Sequence, residues 1–129
     1  MNNRNGIQTQ IVDRSVVGLG GNLFETGLIT VGPGKTIKKG SLLKRSGEKF
    51  ALVTDLSTET PVAINPFDIP NGDTMLSVDM SLRAIIFGPV RADMLNVNGL
   101  PITSQAYFDK IRDTANCTPI LAHDISRTE

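Results

Sequence analysis

The chain has 129 residues, 40% of them hydrophobic, and 13 Lys and Arg balance 13 Asp and Glu, which predicts one compact domain with its own core. One cysteine excludes an internal disulfide, and one Cys with one His does not make up the usual zinc site, so we expect no metal or cofactor. Zero Trp and one Tyr leave little stacking surface for nucleic acid. The sequence has neither an export signal nor an apolar run of about 18 residues, so we predict a soluble, unexported protein.

The N-terminal segment, residues 1–23, predicts an extended arm, with the domain proper at residues 24–129. Asn and Gln alternate in part with apolar residues, and a glycine-rich stretch follows at 18–21. Such an arm can add a strand to the sheet edge of another protein, its apolar side chains filling pockets there, and terminal disorder is the alternative. The candidate anchors are Ile7, Ile11, Val12, Val16, Val17, Leu19, Leu23 and Phe24.

The remainder of the chain is typical of β structure. Residues 28–31 are a β-branched run closed by Gly32-Pro33-Gly34. Two β-type segments, 41–44 and 49–53, flank Ser46-Gly47-Glu48, which is the layout of a hairpin. Further strands are predicted over 61–64, 75–80, 82–87 and 120–122, and residues 65–73 form a series of turns.

One helix is predicted after Gly99-Leu100-Pro101, where Thr103 or Ser104 can cap it. Its apolar residues fall on one side at helical spacing: Tyr107, Phe108, Ile111 and Ala115. The stretch 116–119 ends it. We therefore predict a mostly β fold, a compact small β-barrel or sandwich-like domain with one short α-helix and an extended N-terminal arm.

The neutral total charge hides an uneven distribution. Residues 35–49 hold six cations and one acid, whereas residues 50–82 hold five acids and no Lys or Arg. We predict a basic face and an acidic face that steer a partner or a second copy, with solvated charges that only maintain solubility as the alternative. The candidate residues for these inter-subunit electrostatics are Lys35, Lys38, Lys39, Arg45, Asp55, Asp68 and Asp73. The balancing carboxylates argue against duplex nucleic acid as the partner.

Motifs that would indicate an enzyme are incomplete. Gly34-Lys35-Thr36 copies the end of a phosphate-binding loop, but Ile29 stands where that loop requires glycine. Cys117 and His123 could form a nucleophile and a base, although a lone cysteine is most often a small buried apolar group. We therefore predict a binding protein and not an enzyme.

The order of segments resembles that of the head decoration, or capsid-stabilising, proteins of tailed bacteriophages, the family typified by protein D of phage lambda. The matching stretches are 27–31, 40–45, 53–55, 61–64, 88–95 and 119–122. The resemblance covers roughly residues 24 to 125, although the chain lacks the Trp residues of the lambda protein.

This resemblance implies a structural virion protein that assembles as homotrimers at the three-fold and quasi-three-fold positions of an icosahedral head. The partners would be the major capsid protein and other copies of the chain, with no nucleic acid and no membrane. The arm would add a strand to the capsid protein. The protein would lie on the outer surface of the capsid, after passing through the host cytoplasm during assembly.

Residues 31–43 are also similar to the strand, turn and strand of biotinyl or lipoyl carrier-like barrels. Such carriers present a modifiable lysine at a hairpin tip, usually beside Met or Asp. Here Lys49 follows Ser46-Gly47-Glu48 and lacks that context. A carrier-like binding module is therefore the alternative function.

Overall fold

The computed structural model describes residues 17–121. Within them the chain forms a short 3-10 helix, Ala92–Met94, one α-helix, α1 (Gln105–Ala115), and ten strands. The strands are β1 Leu23–Val31, β2 Thr36–Ile37, β3 Leu42–Ser46, β4 Lys49–Leu52, β5 Ala63–Ile64, β6 Ile69–Pro70, β7 Val78–Arg91, β8 Asn96–Val97, β9 Leu100–Pro101 and β10 Cys117–Ile120.

Five strands close into a β-barrel in the order β1-β4-β3-β5-β7, with β7 pairing back onto β1. The β1–β7 pair is antiparallel along the whole of β1, from Leu23 opposite Phe87 to Val31 opposite Val78. The β1–β4 pair is parallel and short, with Ile29 opposite Phe50. Strand β10 lies outside the barrel, parallel to the last part of β7. The predicted mostly β fold with one helix is confirmed, and it is a barrel.

The core has two layers because β3, β5 and β7 are covered on both faces. Successive side chains of a strand point to opposite faces, so buried neighbours such as Leu42 and Leu43 enter different layers. One layer draws on all five barrel strands and fills the interior: Ile29, Val31, Ile37, Leu43, Phe50, Ala63, Ile69, Leu82 and Ala84. The other lies between the barrel wall and α1: Val17, Leu42, Val53, Leu56, Ile64, Ile85, Val90, Ala92, Leu95, Ile102, Phe108, Ile111, Ala115 and Cys117.

Strand β7 replaces the two separate strands predicted over 75–80 and 82–87. Met75 and Leu76 precede it in a loop because their backbone groups are already bonded there. Asp73 Oδ1 accepts the N–H of Met75 at 2.8 Å and of Leu76 at 3.2 Å. Asn71 Nδ2 donates to the Leu76 carbonyl at 2.9 Å. These groups cannot also join a strand ladder.

Other predicted elements are close to their observed positions. The β3–β4 hairpin turns at Gly47, which has φ +62°. The helix begins after Ser104 and ends at Asn116, whose φ is +56°. The strand predicted over 120–122 is β10, Cys117–Ile120, which starts earlier because the chain pairs with β7 directly after the helix.

The segment just before β1 belongs to the domain, which corrects the predicted arm boundary at residue 23. Val17 is fully buried in the layer beneath α1. Its carbonyl accepts the Arg91 N–H at 2.8 Å, and the Leu19 N–H donates to Pro89 at 3.1 Å. A turn at Gly20 and Gly21, both with positive φ, brings residues 17–19 alongside β7. The predicted anchors Ile7, Ile11, Val12 and Val16 lie outside the described residues.

Candidate binding surfaces

An exposed apolar patch lies where the N-terminal segment joins the barrel. Leu23 is 57% exposed and stands directly across from Phe87, which is 51% exposed. The side chain of Asn22 holds the adjoining turn by donating to the carbonyls of Phe87 at 3.1 Å and Pro89 at 2.9 Å. Leu19 is also exposed beside this turn. We call Leu19, Leu23 and Phe87 the base patch.

The structure separates the predicted arm anchors into different environments. Leu19 and Leu23 are exposed and available to a partner. Val17 is part of the protein's own core, so its prediction as a partner contact is wrong. Phe24 is half-buried against the same layer, with the Arg83 guanidinium 4.8 Å from the centre of its ring.

The predicted separation into a basic and an acidic face does not hold for three of the cations. Lys44 Nζ lies 2.8 Å from Glu59 Oε2, and Lys49 Nζ lies 2.7 Å from Asp79 Oδ2. Arg45 makes two hydrogen bonds to Glu25, at 2.7 and 2.6 Å. The sheet brings segments that are far apart in sequence side by side, so their charges pair within the subunit.

These ion pairs hold the carboxylates in the charged form. Hydrogen bonding from Lys44, supported by the Thr54 N–H, lowers the pKa of Glu59 to about 2. The Arg45 guanidinium lowers the pKa of Glu25, and Lys49 with Thr30 lowers the pKa of Asp79. Pairs at an exposed surface add little net stability in salt, so they define local geometry more than they strengthen the fold.

The predicted acidic residues accept backbone N–H groups, within a local turn for Asp55 and Asp73 and from a distant segment for Asp68. Asp55 Oδ1 accepts the Ser57 hydroxyl at 2.6 Å and the Ser57 N–H at 2.9 Å, and these bonds lower the pKa of Asp55. Asp68 Oδ1 accepts the N–H of Lys39 at 2.8 Å, and Asp73 organises the loop before β7.

The three remaining predicted cations are available to a partner. The side chains of Lys35, Lys38 and Lys39 are exposed. None of the three forms an ion pair with another residue in the range 17–121. Among the cations predicted to act between subunits, these three lysines are the ones that no carboxylate of residues 17–121 pairs with.

Cys117 and Lys49, two of the residues considered for chemistry, are held in structural roles. Cys117 is fully buried in β10, with Sγ 3.3 Å from the Ala115 carbonyl oxygen, and burial raises the pKa of its thiol to about 12. The thiolate form that attacks substrates is therefore scarce at neutral pH. His123 lies outside the described residues. Lys49, the candidate carrier lysine, is engaged by Asp79.

Two further surfaces contain residues that the sequence pattern did not single out. The first is the exposed loop formed by Met75 and Leu76, which we call the apolar loop.

The second is a groove of about 250 Å³ between the 54–56 loop, the β8–β9 hairpin and the start of α1. We call it the helix groove. Asn98-Gly99 was the available signal for its hairpin, because this pair favours tight two-residue turns. The apolar side chains of the groove are Leu56, Val97, Leu100, Ile102 and Tyr107.

Comparison of the chain with protein-family models, with curated protein sequences and with solved structures gives no match. Across residues 17–121, none of the helical structure is long and apolar enough to span a membrane. In the same part of the chain, no three His, Cys, Asp or Glu side chains are grouped as ligands for a metal ion. Among residues 17–121, surfaces that a partner could contact include the base patch, the three lysines without an ion pair in that range, the apolar loop and the helix groove.

Proposed function

We propose that the protein is a structural virion protein that binds the outer surface of an icosahedral phage head and stabilises the capsid lattice. The observation that carries this proposal is the anchoring of the N-terminal segment. Val17 is buried and the backbone of residues 17–19 is bonded to β7, so residues 1–16 start from a fixed point. That point adjoins the base patch, where Leu23 and Phe87 expose apolar surface.

The base patch and the segment before it supply two consecutive parts of one binding surface. Residues 1–16 contain Ile7, Ile11, Val12 and Val16 among polar residues, a composition suited to strand addition on a partner's sheet edge. The base patch would seat against the same partner next to that added strand. Because residues 1–16 lead directly into the base patch, the second contact forms at a high effective concentration once the first has formed.

Stabilisation of a capsid would follow from multiple attachment. The partner proposed is the major capsid protein, and the protein would act as a homotrimer at three-fold and quasi-three-fold positions. Each trimer would then join several capsid subunits. Weak individual contacts gain from being engaged together, so the lattice would resist rupture until several contacts fail at once.

The proposal is tested by mixing the purified protein with phage heads assembled without it. We expect the wild-type protein to sediment with the heads and to raise the temperature at which they break. A variant lacking residues 1–16 should keep its folded barrel, since Val17 is retained, but should not sediment with the heads. Phe87→Ser should weaken binding because it removes half of the Leu23–Phe87 pair of the base patch.

Phe67→Ser is the matched control for Phe87→Ser, because both phenylalanines are 51% exposed and Phe67 lies outside the base patch. Equal binding by the two variants would contradict the role of the base patch. Binding of the truncated protein at wild-type strength would contradict the role of the N-terminal segment. A covalent mass increase on Lys49 in the protein isolated from its natural host would instead support the carrier-like alternative.

A further inference from the structure

The chain contains three Asn-Gly pairs, and this dipeptide is the one most prone to spontaneous deamidation. A glycine has no side chain to shield its backbone nitrogen, so that nitrogen can attack the carboxamide carbon of the asparagine before it. The pairs are Asn5-Gly6, Asn71-Gly72 and Asn98-Gly99. The first lies outside the described residues. The structure places the other two in different surroundings, so their reactivity should differ.

Asn98 and Gly99 form the exposed tip of the β8–β9 hairpin. Their φ angles are +52° and +85°, and positive φ at both positions is the signature of a type I′ turn. Within residues 17–121 no hydrogen bond engages the Asn98 carboxamide. A Cβ at Gly99 would meet no atom within 4 Å. Both reacting groups, the carboxamide and the backbone nitrogen after it, are therefore open to solvent.

The hairpin that holds this tip is short. It contains two residue pairs, Asn96 with Pro101 and Val97 with Leu100. The Gly99 N–H makes one exposed hydrogen bond, to Asn96 Oδ1 at 3.1 Å. A short, exposed element of this kind opens locally at low free energy. The tip can therefore rotate until the Gly99 nitrogen faces the Asn98 carboxamide carbon.

The Asn71-Gly72 pair has an equally open glycine but a fixed asparagine. Gly72 is exposed, and a Cβ there would also meet no atom within 4 Å. Asn71 is only 6% exposed. Its Nδ2 donates to three backbone carbonyls at 2.9–3.0 Å, and its Oδ1 accepts the Asp73 N–H at 2.9 Å. These bonds have to break before the carboxamide carbon can be attacked.

We propose that Asn98 is a site of spontaneous deamidation in the folded protein, whereas the fold protects Asn71. The Gly99 nitrogen loses its proton and forms a bond to the Asn98 side-chain carbon. The Cγ–Nδ2 bond of Asn98 breaks, and ammonia leaves with that proton. Water then opens the resulting cyclic imide at either carbonyl, which gives aspartate or isoaspartate. The reaction needs no reactant other than water.

Both products change the rim of the helix groove. Aspartate adds a negative charge at the hairpin tip. Isoaspartate adds a methylene group to the main chain, which no longer fits a two-residue turn. Val97 and Leu100 flank the turn and line the groove. Deamidation would therefore move apolar side chains of a candidate binding surface as the protein ages.

The test is incubation of the full-length folded protein at neutral and at mildly alkaline pH, followed by digestion with trypsin. Cleavage after Lys and Arg places Asn98 in the peptide 92–110 and Asn71 in the peptide 50–83. Fragmentation mass spectrometry then locates the acid form, with a sample digested before incubation as the baseline.

We expect the acid form to accumulate at Asn98 at least about tenfold faster than at Asn71, because the hydrogen bonds of Asn71 must first be broken by local opening. The rate at Asn98 should rise with pH, since the Gly99 N–H has to lose its proton. Equal rates at the two residues, or a faster rate at Asn71, would overturn the proposal.

Incubation in urea is the matched control. The two Asn-Gly pairs lose their different surroundings when the chain unfolds, so both should deamidate at similar rates. If Asn98 reacts in urea but not in the folded protein, the turn is protective and the proposal is wrong.

A Gly99→Ala variant tests the attacking atom. The added Cβ shields the backbone nitrogen and meets no neighbouring atom in the fold, so deamidation at Asn98 should slow while the rate at Asn71 in urea stays unchanged. Deamidation of Asn98 at the wild-type rate in this variant would show that the Gly99 nitrogen is not the nucleophile, against the proposal.

Discussion

Gly40 is constrained more tightly than any sequence pattern around it indicates. Its φ is +83°, and a Cβ at this position would lie 1.8 Å from the Met94 carbonyl oxygen. The backbone is bonded on both sides, with the Gly40 N–H donating to Asn65 at 2.7 Å and the Asn96 N–H donating to Gly40 at 3.0 Å. The sequence Lys38-Lys39-Gly40 predicts a turn. It does not predict that the turn packs against a chain segment more than fifty residues later, because that contact is set by the tertiary fold.

Replacing Gly40 by Ala should lower the free energy of unfolding by about 3 kcal/mol, because positive-φ strain and the collision with Met94 add together. Gly47→Ala is the matched control. Its φ is +62°, but no atom lies within 4 Å of a Cβ there, so the cost should be about 1 kcal/mol. Urea denaturation of both variants measures the difference. Equal losses would show that the approach of Met94 is relaxed at little cost.

The helix is the element whose position the sequence predicted best. Phe108, Ile111 and Ala115 are buried on the predicted side, whereas Tyr107 turns partly toward the helix groove. Apolar periodicity predicts which residues of α1 are buried. It does not predict that polar side chains of α1 contact the loop between β4 and β5. Thr114 Oγ1 donates to the Pro61 carbonyl at 2.7 Å, and Lys110 Nζ donates to Leu56. Those contacts come from tertiary packing and leave no local signal in the sequence.

Replacing Ile111 by Ala should cost about 2–5 kcal/mol of stability, because a fully buried side chain would be replaced by a cavity. Asp113→Ala is the control on the same helix, with a side chain that is 70% exposed, and should stay within about 0.5 kcal/mol of the wild type. Chemical denaturation provides the measurement. A loss below about half a kcal/mol for Ile111→Ala would mean that α1 contributes little to the core.

At the scale of the whole molecule, individual strands could be predicted but their closure into a barrel could not. Turn residues and β-branched runs indicated the β3–β4 hairpin, the last four residues of β1 and most of β7. The pairing of β1 with β7 brings together residues from 47 positions apart, at Val31 and Val78, to 64 positions apart, at Leu23 and Phe87. No local pattern encodes that choice. The charge distribution was misread for the same reason. The segments that looked separately basic and acidic meet across the sheet, as Lys49 and Asp79 do.

The ion pair between Lys44 on β3 and Glu59 in the loop after β4 predicts how stability responds to acid. The pKa of Glu59 is lowered from its usual 4.5 to about 2 by Lys44 and the Thr54 N–H. A carboxylate with a depressed pKa in the folded state adds stability above its unfolded pKa and loses that contribution as the pH falls through the folded pKa. Glu59→Gln should therefore be less stable than the wild type at pH 7, and the difference should shrink between about pH 4.5 and pH 2.

Thermal unfolding of Glu59→Gln and wild-type protein across this pH range measures the effect. Glu48→Gln makes the same chemical change at an exposed site whose carboxylate forms no ion pair within residues 17–121. That control should follow the wild type at every pH. A stability difference for Glu59→Gln that does not vary with pH would show that the ion pair with Lys44 is not maintained in solution.

The pairing of β1 with β7 also has a consequence for how the protein is made. Strand β1 ends at Val31, whereas its partner strand begins at Val78, so β1 leaves the ribosome well before β7 has been translated. Contacts between distant segments form slowly, and an unpaired strand is exposed to aggregation in the meantime. Completion of the fold is therefore a late event in synthesis. A nascent chain arrested before residue 78 would carry β1 with its backbone hydrogen-bonding groups still unpaired along the edge that β7 covers.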